Sequence, residues 1–189
     1  MITRIATGFL AAAAALGVNA ADIRPILKGG LDTGGDTLVS VTFVGGESDK
    51  IKANEGFYLG GGMAIIDEPR SMEYHLTVAY KIGMVSADNG DIDWTRVPLE
   101  ALAFYRFAKV RIGGGLTYHL NPELEGSGVA SSVNVKFKNA LGFLVQADWR
   151  ITQGLALGLR YTFIEYEAKS PASGTAKGDG AGLTISYTF

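Results

Sequence analysis

The chain contains no cysteine. That excludes disulfides, thiolate nucleophiles, cysteine metal sites and attachment of a lipid to a leader cysteine. Only two histidines and five prolines occur in 189 residues. Beyond residue 20, no apolar run approaches the roughly 20 residues that a membrane-spanning helix needs. A formal net charge of −2 provides no basic stripe, which argues against nucleic-acid binding. Gly60–Gly62 and Gly113–Gly115 lie inside strand-like segments without a following Lys-Ser/Thr, so neither is a phosphate loop.

What is present is 47% apolar residues, 26 glycines and a persistent period of two. Leu183, Ile185, Tyr187 and Phe189 alternate with Thr184, Ser186 and Thr188. Such alternation makes a strand with one apolar and one polar face. The same rhythm runs through 155–163, 143–151, 110–120, 96–107 and 74–83, and a further strand is expected over 57–67. Arg24 to Asp32 is the preferred first strand, with Lys28 inward. Residues 36–44 and 50–53 would then form a hairpin standing above the membrane. The rival makes Leu38–Val44 the first strand and 22–35 an arm. At the other end, a basic Met1–Arg4, an apolar Ile5–Val18 and a small Ala20 predict a cleaved signal peptide over 1–20 and one domain over 21–189.

The joins alternate in length. Those at 68–70, 107–109 and 152–154 are tight, whereas 33–55, 85–93, 121–140 and 167–179 are long and polar. Tyr74, Tyr105, Phe107, Trp149, Tyr187 and Phe189 are expected to girdle the turn end. Phe57, Trp94, Tyr118, Phe143, Tyr161 and Phe163 would girdle the loop end. The expected fold is all-β: an eight-stranded antiparallel up-and-down transmembrane barrel, which pairs every backbone group without leaving an edge.

The segments GFYLGGGMAII, LEALAFYRFAKVRIGGGLTYHLNPEL, LALGLRYTF and LTISYTF resemble the small eight-stranded outer-membrane barrels, including the OmpA barrel domain and the OmpX- and OmpW-like porin relatives. The resemblance implies export through the periplasm to a bacterial outer membrane, with membrane lipids and lipopolysaccharide as surroundings. It also implies handling by the barrel-assembly machinery, with Leu183, Ile185, Tyr187 and Phe189 as the insertion signal. A monomer is expected.

By parity, Lys28, Lys81, Arg96, Arg106, Arg111, Arg150 and Arg160 face the lumen, with Glu100 and Asp148 as acids. These form an expected ion-pair network in which Asp148 and Arg160 are neighbours, beside Gln146. Unpaired arginines would instead indicate water or an anion inside. His75 and His119 also face inward, but the sequence places no catalytic partner beside them. Acidic residues collect in the loops: Asp32, Asp36, Glu47, Asp49, Asp88, Asp91, Asp93, Glu123, Glu125, Glu167 and Asp179. Asp88–Asp93 lacks the pattern and closing glutamate of a calcium loop. No catalytic, cofactor or metal residue is assigned. The functional expectation is a non-enzymatic structural, adhesive or ligand-binding role. A narrow channel for small or apolar solutes is the alternative, and a lipid A-modifying enzyme the second alternative.

Overall fold

A computed structural model describes residues 22–42, 48–87, 90–170 and 172–189. The expected signal peptide, residues 43–47 of the hairpin, and Asp88 lie outside the described residues. Eight strands close the barrel: β1 (Asp22–Gly34), β4 (Gly56–Asp67), β5 (Met72–Ala87), β6 (Gly90–Arg106), β7 (Val110–Gly126), β9 (Ala140–Arg150), β10 (Leu155–Glu167) and β12 (Gly180–Thr188). Each pairs antiparallel with its neighbours in chain order, and β1 pairs with β12 from Ile26↔Thr188 to Gly34↔Gly180. Closure leaves no edge along the barrel wall.

The first strand is therefore 22–34, as the preferred reading has it. The hairpin forms separately from β2 (Thr37–Thr42) and β3 (Ser48–Lys52), which among the described residues pair only with each other. Alternation is strict in β9, where buried and exposed residues succeed one another over ten positions. The outward set is apolar, including Leu27, Leu59, Leu159 and Leu183. An exposed leucine row is unstable in water and stable in lipid.

The turn end is fixed locally. Asp67 accepts from Arg70 N at 3.4 Å and Arg70 Nη1 at 2.7 Å, while Ser71 takes a left-handed φ of 54°. Thr152 Oγ1 accepts from Leu155 N at 2.9 Å. At the loop end the structure corrects three expectations. The stretch 85–93 is strand on both sides of residues 88 and 89. Residues 121–140 continue β7 to Gly126, and β8 (Asn134–Lys136) folds back onto it. β11 (Thr175–Lys177) likewise folds onto β10. β6 and β7 each run 17 residues, where a tilted strand needs about 9–11 to cross a bilayer. The barrel wall thus continues well above the membrane.

Candidate functional site

The interior is built in tiers, each set by inward parity. Nearest the turns, Arg111 of β7 lies directly opposite Asp148 of β9 and binds it at 2.7 Å. Arg111 also pairs with Glu73 of β5 and donates to Ser186 Oγ at 2.9 Å. Glu73 holds His75 Nε2 at 2.8 Å, and Gln146 donates to Asp148 at 2.8 Å. Arg111 lies over the Phe104 ring, 5.2 Å from its centroid.

The middle tier joins strands across the lumen. Glu100 of β6 takes Lys28 of β1 and Arg160 of β10, both at 2.5 Å. Asp32 takes Lys81 at 2.6 Å, with Arg160 at 3.7 Å. Arg160 stacks over Tyr58, 4.9 Å from the ring centroid. Two inward glycines make room for the carboxylates. A Cβ at Gly182 would fall on Asp32, and one at Gly158 on Asp148.

The expected Asp148–Arg160 pair does not form. Their strands are adjacent, but Arg160 registers with Gln146 and Asp148 with Gly158. Asp148 has Arg111 directly opposite, so the long Arg160 side chain reaches across to Glu100 instead. Arg106 and Arg150 stand at the turn-end rim rather than in the central network. Arg106 binds Glu68 at 2.7 Å, and Arg150 donates to the carbonyls of Phe107 and Ala108, each at 2.7 Å.

In the upper tier the partners change. Arg96 donates to the backbone carbonyls of Trp94, Asn54 and Glu55, at 3.1, 3.0 and 2.5 Å. Lys81 reaches Asn54 Oδ1 at 3.1 Å. Trp94 Nε1 donates to Ala53 O at 2.9 Å. The segment after the β2–β3 hairpin is thereby pinned into the mouth. Above it lies an apolar cluster of Ile51, Val85, Ile92, Trp94, Leu124, Phe137, Ile164 and Tyr166. Trp94 is fully buried and belongs to this plug, not to the outer girdle expected for it. His119 Nδ1 shares a 2.7 Å hydrogen bond with Tyr166 Oη. No serine or carboxylate hydrogen bond to His119 occurs among the described residues.

Sequence reasoning placed Lys28, Lys81, Arg96, Glu100, Arg111, His119, Asp148 and Arg160 inward, where the structure has them buried. It missed Glu73, because the strand was started two residues late, and it counted Asp32, the last residue of the expected first strand, among the loop acids. It also missed Tyr58 and Asn54. The available signal was parity: Glu73 is two residues from His75. The terminal set Leu183, Ile185, Tyr187 and Phe189 points outward, and the Tyr187 and Phe189 rings meet edge to face with centroids 4.9 Å apart.

An ionic lumen, an apolar exterior and closure of β1 onto β12 decide the architecture. The fold is that of the small outer-membrane barrels. Neisserial surface protein A is similar over 90% of this chain and 100% of its own, with 12% identity and a TM-score of 0.50. Ail of Yersinia pestis, solved with the heparin analogue sucrose octasulfate, is similar over 89% and 96%, with 12% identity and a TM-score of 0.54. At these identities the likeness concerns the fold alone. No family model and no curated protein matches the sequence.

Proposed function

We propose that the protein is a non-enzymatic barrel of the bacterial outer membrane that acts through its extracellular end, as an adhesive or ligand-binding surface. The observation that carries this reading is the closure of the lumen by two successive layers. Cross-strand ion pairs occupy the membrane level, and the apolar plug tied down by Trp94 and Arg96 occupies the mouth. A lumen so filled favours neither solute passage nor substrate entry. Function then falls to the exposed wall above the membrane, where β5, β6 and β7 continue as paired strands. The solved complex of Ail with a heparin analogue supports this in kind: a barrel of this fold can present a ligand-binding surface.

Bacteria displaying the intact barrel should bind host-cell or matrix-coated surfaces more than bacteria displaying a variant with the 35–55 hairpin and the β8 and β11 segments shortened. The same protein in planar bilayers should show no steady conductance. Stable unitary currents from the intact protein would replace this reading with a channel.

A further inference from the structure

At the turn end, beyond the Arg111–Glu73 tier, the barrel opens into a cavity of about 340 Å³. Its charged lining is Arg24, Arg106, Arg111 and Arg150 against Glu68 and Glu73. Three of these arginines come from three adjacent strands: Arg106 closes β6, Arg111 opens β7, and Arg150 closes β9. Arg106 and Arg111 are direct register partners. Like charges so placed repel unless an anion sits among them.

The existing anions do not use all the donors. Arg24 is engaged by Asp22 at 2.5 Å, and Arg111 by Glu73 and Asp148. Arg150 has no carboxylate partner among the described residues. Two backbone carbonyls hold its Nη2, and its buried Nε has no acceptor. Arg106 Nε is also buried without a hydrogen-bond acceptor, 3.4 Å from Glu73 Oε2. The remaining partner of Arg106 is Glu68, whose side chain is 71% exposed and therefore weakly held. Two guanidiniums lining one cavity, one fixed by carbonyls and one with a displaceable counter-ion, form a preorganised receptor.

We propose that this cavity binds a phosphoryl oxyanion. A carboxylate offers two coplanar oxygens, whereas guanidiniums from separate strand ends approach from different directions. A tetrahedral phosphoryl group can answer both. The phosphoryl can belong to a soluble phosphate or to an inner-leaflet phospholipid headgroup. The second source is accessible because Tyr105, Phe107 and Trp149, the sequence neighbours of Arg106 and Arg150, are exposed at the same level and suit a membrane interface. The site does not depend on the extracellular role proposed above.

The test uses the whole barrel in uncharged maltoside micelles and phosphate-free buffer, with the arginine ¹⁵Nε–¹H resonances as readout. One arm titrates inorganic phosphate. The other adds a minor fraction of phosphatidylglycerol to the micelles. The Arg106 and Arg150 resonances should shift saturably in at least one arm, and which arm responds identifies the source. Arg150→Gln should weaken the response about tenfold, through loss of a charge-assisted donor. Glu68→Gln, a change at an exposed side chain, should tighten it by about threefold by removing the competing carboxylate. No saturable shift in either arm, or an unchanged affinity in Arg150→Gln, overturns the proposal. If Arg150→Gln fails to fold, Glu68→Gln decides: weaker or unchanged binding overturns it.

Discussion

The lower and upper halves of the barrel interior share one parity and have opposite chemistry. Below Arg96 the inward face is dominated by the ions Lys28, Glu100, Arg111, Asp148 and Arg160, with the small apolar group of Leu102, Phe104 and Leu144 among them. Above it the inward residues are Ile92, Trp94, Leu124, Ile164 and Tyr166. At membrane depth the outer face must be apolar, so the inner face carries the polar half of each strand. Above the membrane that constraint ends. The same strands can then bury apolar residues inside, as a soluble protein does, and the hairpin end at Ile51–Asn54 covers them. The two fillings also differ energetically. Apolar burial stabilises at about 25 cal/mol per Å². Buried ion pairs roughly break even against their desolvation, and become costly only when one member is missing. The plug therefore contributes stability directly, whereas the ionic tiers contribute on condition that they stay complete.

Breaking that condition should have the largest effect. Glu100→Ala leaves Lys28 and Arg160 in the lumen without their shared carboxylate. It should cost about 3–5 kcal/mol, measured by urea unfolding and refolding in lipid bilayers. A loss below that of a surface change would mean water screens the lumen. Next comes Trp94→Ala, which removes a large side chain from the plug and the bond to Ala53 O. The expected cost is about 3 kcal/mol. Because Trp94 also helps pin the mouth, this variant should gain protease sensitivity between residues 35 and 55 before the barrel unfolds. Cleavage unchanged from the parent would detach the hairpin from the plug.

How far these two halves were legible in the sequence follows from the same physics. The ionic half was readable because a lipid-facing apolar row and a charged lumen row must alternate, so Arg111, Asp148 and Arg160 announce their own direction. The pairing was not. Which carboxylate Arg160 reaches depends on strand stagger and on the width of the lumen, which set Glu100, three strands away by the shorter path round the barrel, nearer than the adjacent Asp148. The apolar half was harder. Asp91, Asp93, Glu123 and Glu125 alternate with Ile92, Trp94 and Leu124, but their acidity suggested loop. Here the exposed face is the acidic one, so the lipid rule reverses and Trp94 reads as a girdle residue. The inward row turning from Thr162 to Ile164 and Tyr166 was the available sign that the strand had left the membrane.

A third experiment asks whether the ionic half can be given the chemistry of the apolar one. Replacing the triad together, as Lys28→Met, Glu100→Leu and Arg160→Met, removes every member rather than one. Stability should stay within about 1 kcal/mol of the parent, and can rise, because no charge is left unpaired and apolar contacts replace the desolvated ions. A loss as large as that of Glu100→Ala alone would show that the ions hold the barrel by attraction and not merely by being complete.

The smallest effect is expected outside both halves. Asp91 lies at the start of β6, with an exposed side chain that makes no hydrogen bond among the described residues. Its backbone alone is engaged, the carbonyl accepting from Ser127 N at 2.8 Å and the amide donating to Ser127 Oγ at 3.2 Å. Asp91→Ala retains both bonds and should change stability by no more than about 0.5 kcal/mol. The comparison with Glu100→Ala is informative because both remove one carboxylate from the same strand, nine positions apart. One carboxylate stands at the mouth in water, and the other in a lumen where two buried cations share it. If Asp91→Ala and Glu100→Ala unfold at the same urea concentration, depth in the barrel makes no difference to a carboxylate. The lumen must then be hydrated along its length, and the channel reading gains what the closed-barrel reading loses.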